Sequence, residues 1–84
     1  MPDVAVLGVF VADTAYRAAR PPRLGETVLG DSFALGPGGK GSNQAVAAAR
    51  AGASTAMLTR LAPDAFGALA RATWEGAGVT AEVI

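Results

Sequence analysis

The sequence comprises 84 residues with seven basic and seven acidic side chains, and neither histidine nor cysteine. That balance offers no electrostatic footprint for nucleic acid or an anionic membrane, and it excludes disulfides, thiolate zinc sites, cysteine nucleophiles and imidazole catalysis. An apolar share of 51% describes a chain that buries itself, yet one this short buries only about 60–65% of the surface it exposes when unfolded, so its alanine- and glycine-rich composition suggests a piece of a larger assembly.

The longest apolar run, Val4 to Ala12, is far short of the ~20 residues of a membrane-spanning helix. Asp3 also stands where a signal peptide would carry a basic residue. The expectation is a cytoplasmic protein with no membrane or nucleic-acid partner.

Val4 to Val11 is a continuous, β-branched apolar run, which predicts a strand covered on both faces, as in a parallel sheet under helices. Ala12-Asp13-Thr14 ends it, so Asp13 is expected just beyond the strand's carboxyl end. Tyr16 to Arg23, with Pro21-Pro22 and three arginines, reads as an exposed loop. Glu26–Leu29 and Ser32–Leu35 read as two short strands joined by Gly30-Asp31 in a primed-turn hairpin. After the stretch Gly36-Pro37-Gly38-Gly39-Lys40-Gly41, residues Ser42 to Ala51 predict an alanine-rich helix stopped by Gly52.

Thr55 to Leu61 predicts a second strand, and Asp64 the N-cap of a second helix. On that helix Phe66, Leu69, Ala70, Thr73 and Trp74 form one stripe, so Phe66 and Trp74 are expected in the core. Gly76 and Gly78 end it, and Gly78 to Ile84 reads as the entry to another strand. Alternation of this kind predicts an α/β fold with a largely parallel sheet.

The chemistry is concentrated between Gly36 and Asn43. Gly36, Gly38 and Gly41 satisfy the dinucleotide pattern G-x-G-x-x-G, but that signal is weak alone. The preceding strand is a hairpin arm, and Pro37 removes a backbone N–H from the turn. A P-loop fails because Gly41 replaces the magnesium-binding Ser or Thr and Ala34 replaces the first glycine.

Gly38-Gly39-Lys40-Gly41-Ser42-Asn43-Gln44-Ala45, continuing through Ala51-Gly52, resembles the amino-terminal signature of the ribokinase-like (PfkB) family of sugar kinases. Gly25-Glu26-Thr27 upstream and Arg60-Leu61-Ala62-Pro63-Asp64-Ala65-Phe66-Gly67 downstream are similar to flanking family segments. The resemblance implies that residues 1–84 are the amino-terminal part of one three-layer α/β/α kinase domain with a small β-hairpin lid at about 14–37. It implies sugar binding by Asp13, Gly38, Gly39, Lys40 and Asn43, and a lid that often pairs two subunits into a homodimer. ATP, Mg2+ and in some members a monovalent cation are implied for the parent enzyme. This stretch would bind none of them, because the family's G-A-G-D segment, with the catalytic aspartate and anion hole, does not occur here. Val11 stands where the family usually has asparagine, and Ala62-Pro63 replaces a glycine and a polar residue.

A sugar offers vicinal hydroxyls and no charge, so its recognition needs directional hydrogen bonds. Asp13 would accept from two hydroxyls, Lys40 would donate, Asn43 would do both, and the glycines would admit the sugar close to the backbone. Each has a plainer reading: Asp13 a loop cap, Lys40 a solvated surface group, Asn43 a helix N-cap. The expected function is the sugar side of an ATP-dependent carbohydrate kinase, inactive alone. The competing reading is a non-catalytic sugar-binding or dimerisation module.

Overall fold

The computed structural model describes residues 2–84. Three strands, β1 (Val4–Leu7), β4 (Thr55–Thr59) and β5 (Val79–Val83), form a wholly parallel sheet in the order β1-β4-β5. Val6, Met57 and Ala81 lie in one row across it, with Ala5, Ala56 and Thr80 in the adjacent row on the opposite face. Helices α1 (Lys40–Arg50) and α2 (Ala65–Ala77) share one core, built from Ala45, Met57, Ala70, Trp74 and Val79. Both helices therefore cover the Met57 face. The other face is open, with Leu7 80% exposed.

Within these residues β1 is thus covered on one face only, where its apolar run predicts cover on both. The run also breaks: β1 stops at Leu7, and after 8–10 the chain enters β2 (Val11–Arg17), which pairs antiparallel with β3 (Ser32–Gly38) in a separate two-stranded sheet. The hairpin is thus real, but its arms are different. Glu26–Leu29 is not a strand, Tyr16 and Arg17 are not loop, and the connection spans 18–31. A two-residue primed turn needs positive φ, which Gly30 does not have. Instead Arg17 and Ser32 close the ladder, and the Asp31 N–H donates to the Arg17 carbonyl. Two salt-bridge contacts from Arg20 to Glu26, and the Arg23 N–H donating to Glu26 Oε1, fold the connection upon itself.

The helix termini follow the sequence closely. Gly52, at φ 102°, donates to Ala49 O while Ala53 donates to Ala48 O, a glycine-stopped carboxyl end for α1. Asp64 caps α2 by accepting from the Gly67 N–H at 2.8 Å. Gly78 closes α2 at φ 82°, whereas Gly76 stays inside the helix. Ala70 and Trp74 of the expected stripe lie fully buried in the core, joined on the inward side of α2 by Gly67 and Ala77. Position 67 admits only glycine, since a Cβ there would sit 2.0 Å from the Ala62 carbonyl oxygen. Phe66 is half exposed and outside the core.

Candidate functional site

The site lies where the two sheets meet. Residues 8–10 carry the chain from β1 to β2, and Gly39 carries it from β3 into α1. These crossings lie backbone against backbone. A Cβ on Gly39 would come within 2.6 Å of Val9 O and 2.9 Å of Val11 N, and its φ is 94°. Gly8 and Gly41 approach each other likewise, a Cβ on either meeting the other's Cα at 3.1 Å. The glycine density is therefore first a condition for crossing two chains without side chains between them.

Helix α1 starts at Lys40, two residues earlier than expected, because Gly39 turns the chain directly into it. Glycine is an accepted N-cap, and here it makes no side-chain cap bond. Asn43 is accordingly not the cap: its backbone N–H donates to Gly39 O at 2.9 Å, as a first-turn residue should. Lys40 and Asn43, three apart, lie on one face of that turn. They border a groove of about 650 Å³ whose other wall is Leu7, Gly8, Val9 and Val11.

Asp13 sits inside β2, not beyond a strand end, opposite Gly36 in the ladder. It shares a strand face with Val11, which lines the groove. Its carboxylate lies over buried Gly38, where a Cβ would be 3.1 Å from Asp13 Cγ. Nothing stands within 4 Å of the Cβ position at Gly36, so space remains beside the carboxylate. Among the described residues, the side chains of Asp13, Lys40 and Asn43 make no hydrogen bond or ion pair with the protein. Three polar groups with complementary donor and acceptor capacity are thus exposed around one glycine crossing. Such a set suits a neutral, polyhydroxylated ligand.

Sequence reasoning missed Gln44, Gly8 and Gly41 as groove-lining residues. The signal for Gly8 was the glycine interrupting a β-branched run; for Gln44 it was the adjacent Asn43. A second cavity, about 670 Å³, lies elsewhere, between Tyr16, Val28 and the 18–22 segment. Its one charged lining residue, Arg20, is held by Glu26. That contact raises the Arg20 pKa and, with the Arg23 N–H, lowers that of Glu26. No group of three metal-ligating side chains occurs among the described residues. No helix is long and apolar enough to cross a membrane.

The family model for pfkB family carbohydrate kinases matches residues 1–84. The chain is 46% identical to ribokinase from Bacillus subtilis over 67 residues, covering 80% of this chain and 23% of that protein. It is 42% identical to deoxyribokinase from Salmonella typhi over 64 residues, 76% of this chain and 21% of that one. The structure of Arabidopsis thaliana ribokinase complexed with ribose and ATP superimposes with a TM-score of 0.80 at 32% identity, covering 95% of this chain and 28% of that chain. The chain thus spans about a quarter of the length of the relatives it matches.

Proposed function

The chain belongs to the pfkB family of carbohydrate kinases, and we propose that it forms the sugar-binding amino-terminal portion of an ATP-dependent kinase acting on a hydroxyl of a sugar or nucleoside. The observation that carries this reading is the exposed set of Asp13, Lys40 and Asn43 around the Gly38-Gly39 crossing, beside an open groove. Asp13 accepts hydrogen bonds from two sugar hydroxyls, Lys40 donates to a sugar oxygen, and the Asn43 amide does both. Gly38 makes room for the Asp13 carboxylate, and Gly39 for the 9–11 backbone that lines the groove. Residues 1–84 are part of one kinase domain of a cytoplasmic enzyme.

In this reading the lid at about 14–37, which holds most of the β2–β3 sheet and its connection, closes over the sugar and excludes water. Tyr16 and Phe33, in contact with ring centroids 5.2 Å apart and planes tilted by 42°, and largely exposed, offer an apolar surface for a second subunit. ATP is the phosphoryl donor for the parent enzyme, with Mg2+ and a monovalent cation held outside these residues. Phosphoryl transfer needs a base and charge stabilisation at the moving group. This stretch supplies substrate binding and orientation instead, so alone it turns nothing over.

The test is sugar-dependent ATP turnover by the parent enzyme across a panel of pentoses and nucleosides, repeated with Asp13→Ala. A selective sugar response that Asp13→Ala weakens supports the kinase. Sugar binding without turnover supports the non-catalytic module. No sugar response at all rejects both.

A further inference from the structure

Trp74, the only tryptophan, is fully buried on α2, remote in sequence from every residue of the candidate site. Its indole Nε1–H donates to Ser42 Oγ at 2.9 Å, and Ser42 is itself 1% exposed. Ser42 stands in the first turn of α1, between Lys40 and Asn43. The same indole meets Phe10 edge-on, with centroids 5.9 Å apart and planes at 87°. Phe10 lies in the 8–10 crossing, and its Cα would be 3.2 Å from a Cβ on Gly39. One ring therefore touches the 8–10 crossing and the first turn of the helix that follows the Gly39 crossing.

We propose that Trp74 is a positioning residue: through Ser42 it fixes the first turn of α1, and through Phe10 it fixes the β1–β2 crossing, so the sugar-binding groups keep their relative placement. A buried indole N–H demands a partner, and Ser42 is its partner here. Rotation of the first turn of α1 would break that bond inside the core. Sliding of the 8–10 crossing would break the edge-to-face contact. Glycine-rich crossings have little rigidity of their own, so this is where an external brace is needed. The inference rests on the reading that Lys40 and Asn43 hold sugar.

The experiment compares Ser42→Ala, Trp74→Phe and the double variant in the parent enzyme. Hydrogen exchange without sugar should show faster exchange confined to residues 8–13 and 38–44. The KM for sugar should rise about five- to tenfold, with the KM for ATP and kcat unchanged. The double variant should be no worse than Trp74→Phe, since that variant has already lost the one bond that Ser42→Ala removes. A merely structural role would lower Tm and loosen the fold evenly while leaving the sugar KM alone, and that result overturns the proposal. Should the parent show no response to sugar, the functional reading fails, and the exchange pattern alone then decides the brace: local loosening upholds it, even or absent change rejects it.

Discussion

The carboxylate of Asp13 rests on the bare Cα of Gly38: a methyl group there would stand 3.1 Å from Asp13 Cγ, 3.3 Å from Oδ2 and 3.1 Å from the Val11 carbonyl oxygen. Gly38→Ala should therefore displace the carboxylate at a modest cost in stability, about 1–3 kcal/mol. Sugar affinity in the parent should fall about tenfold. Gly39→Ala is a different change. It combines φ 94° with backbone atoms at 2.6 and 2.9 Å, neither of which can yield like a side chain, and should cost about 3 kcal/mol or more. Denaturant unfolding of both variants checks the order; equal destabilisation would show that the crossing is more pliable than its geometry implies.

Asp13 itself carries the strongest acceptor of the proposed site. Asp13→Ala in the parent should weaken sugar binding by about 2–4 kcal/mol, because a charged acceptor is lost from two hydroxyls. ATP affinity should barely move. Asp13→Asn, which keeps one carbonyl acceptor, should fall between. Calorimetric titration showing unchanged sugar affinity in Asp13→Ala removes Asp13 from the site.

The 18–31 connection should respond to acid. Arg20 and the Arg23 N–H both favour the ionised Glu26, holding its folded pKa below the ordinary glutamate range. A group whose folded pKa is depressed contributes order above its unfolded pKa, and that contribution disappears as pH falls through the lowered folded value. Arg20, shifted upward by the same contact, stays charged throughout. Protection of residues 20–26 from hydrogen exchange, taken relative to the intrinsic rate at each pH, should thus be highest at neutral pH and fall below about pH 4, with high salt mimicking the change by screening. Glu26→Gln should show low protection that stays flat across that range. A wild-type profile as flat as the variant's would assign the loop's order to Pro21 and Pro22 instead.

What the sequence disclosed depended on how local the determinant was. The Asp64 cap, the Gly52 and Gly78 stops and the alanine-rich α1 are decided within a turn or two of chain, and all were legible. The partner of Ser32–Gly38 was not, because Glu26–Leu29 and Val11–Arg17 are both plausible strands, and the choice between them is made by non-local pairing over seven rungs. Asp13 lies inside β2 and not at the expected strand end, since the apolar run shows no mark of its break except Gly8. Phe66 stays outside the core although it fits the stripe, because helical spacing alone cannot tell which end of a stripe is buried. Gly67, tight against Ala62, takes the inward place there. The Trp74–Ser42 bond spans 32 residues and left no trace in the pattern.

The open face of the parallel sheet yields the last prediction. Ala5, Leu7, Ala56 and Leu58 stand on it, with Leu7 80% exposed, and β1 and β5 leave outer edges unpaired. Parallel sheets are ordinarily covered on both faces, and bare edges invite pairing with other chains. The 84-residue chain alone should therefore bind hydrophobic dyes, aggregate with concentration and melt without a sharp transition. Charging the open face separates this cause from generally poor packing. Leu7→Lys should make the isolated chain more soluble, because it removes apolar surface and adds repulsion without touching the Met57 core. In the parent, where the face is covered under the proposed reading, the same change should prevent folding, since a buried unpaired charge costs several kcal/mol. Opposite outcomes in the two settings are the expected result. An isolated chain that already melts cooperatively as a soluble monomer, or a parent that tolerates Leu7→Lys, would show that this face is meant for water.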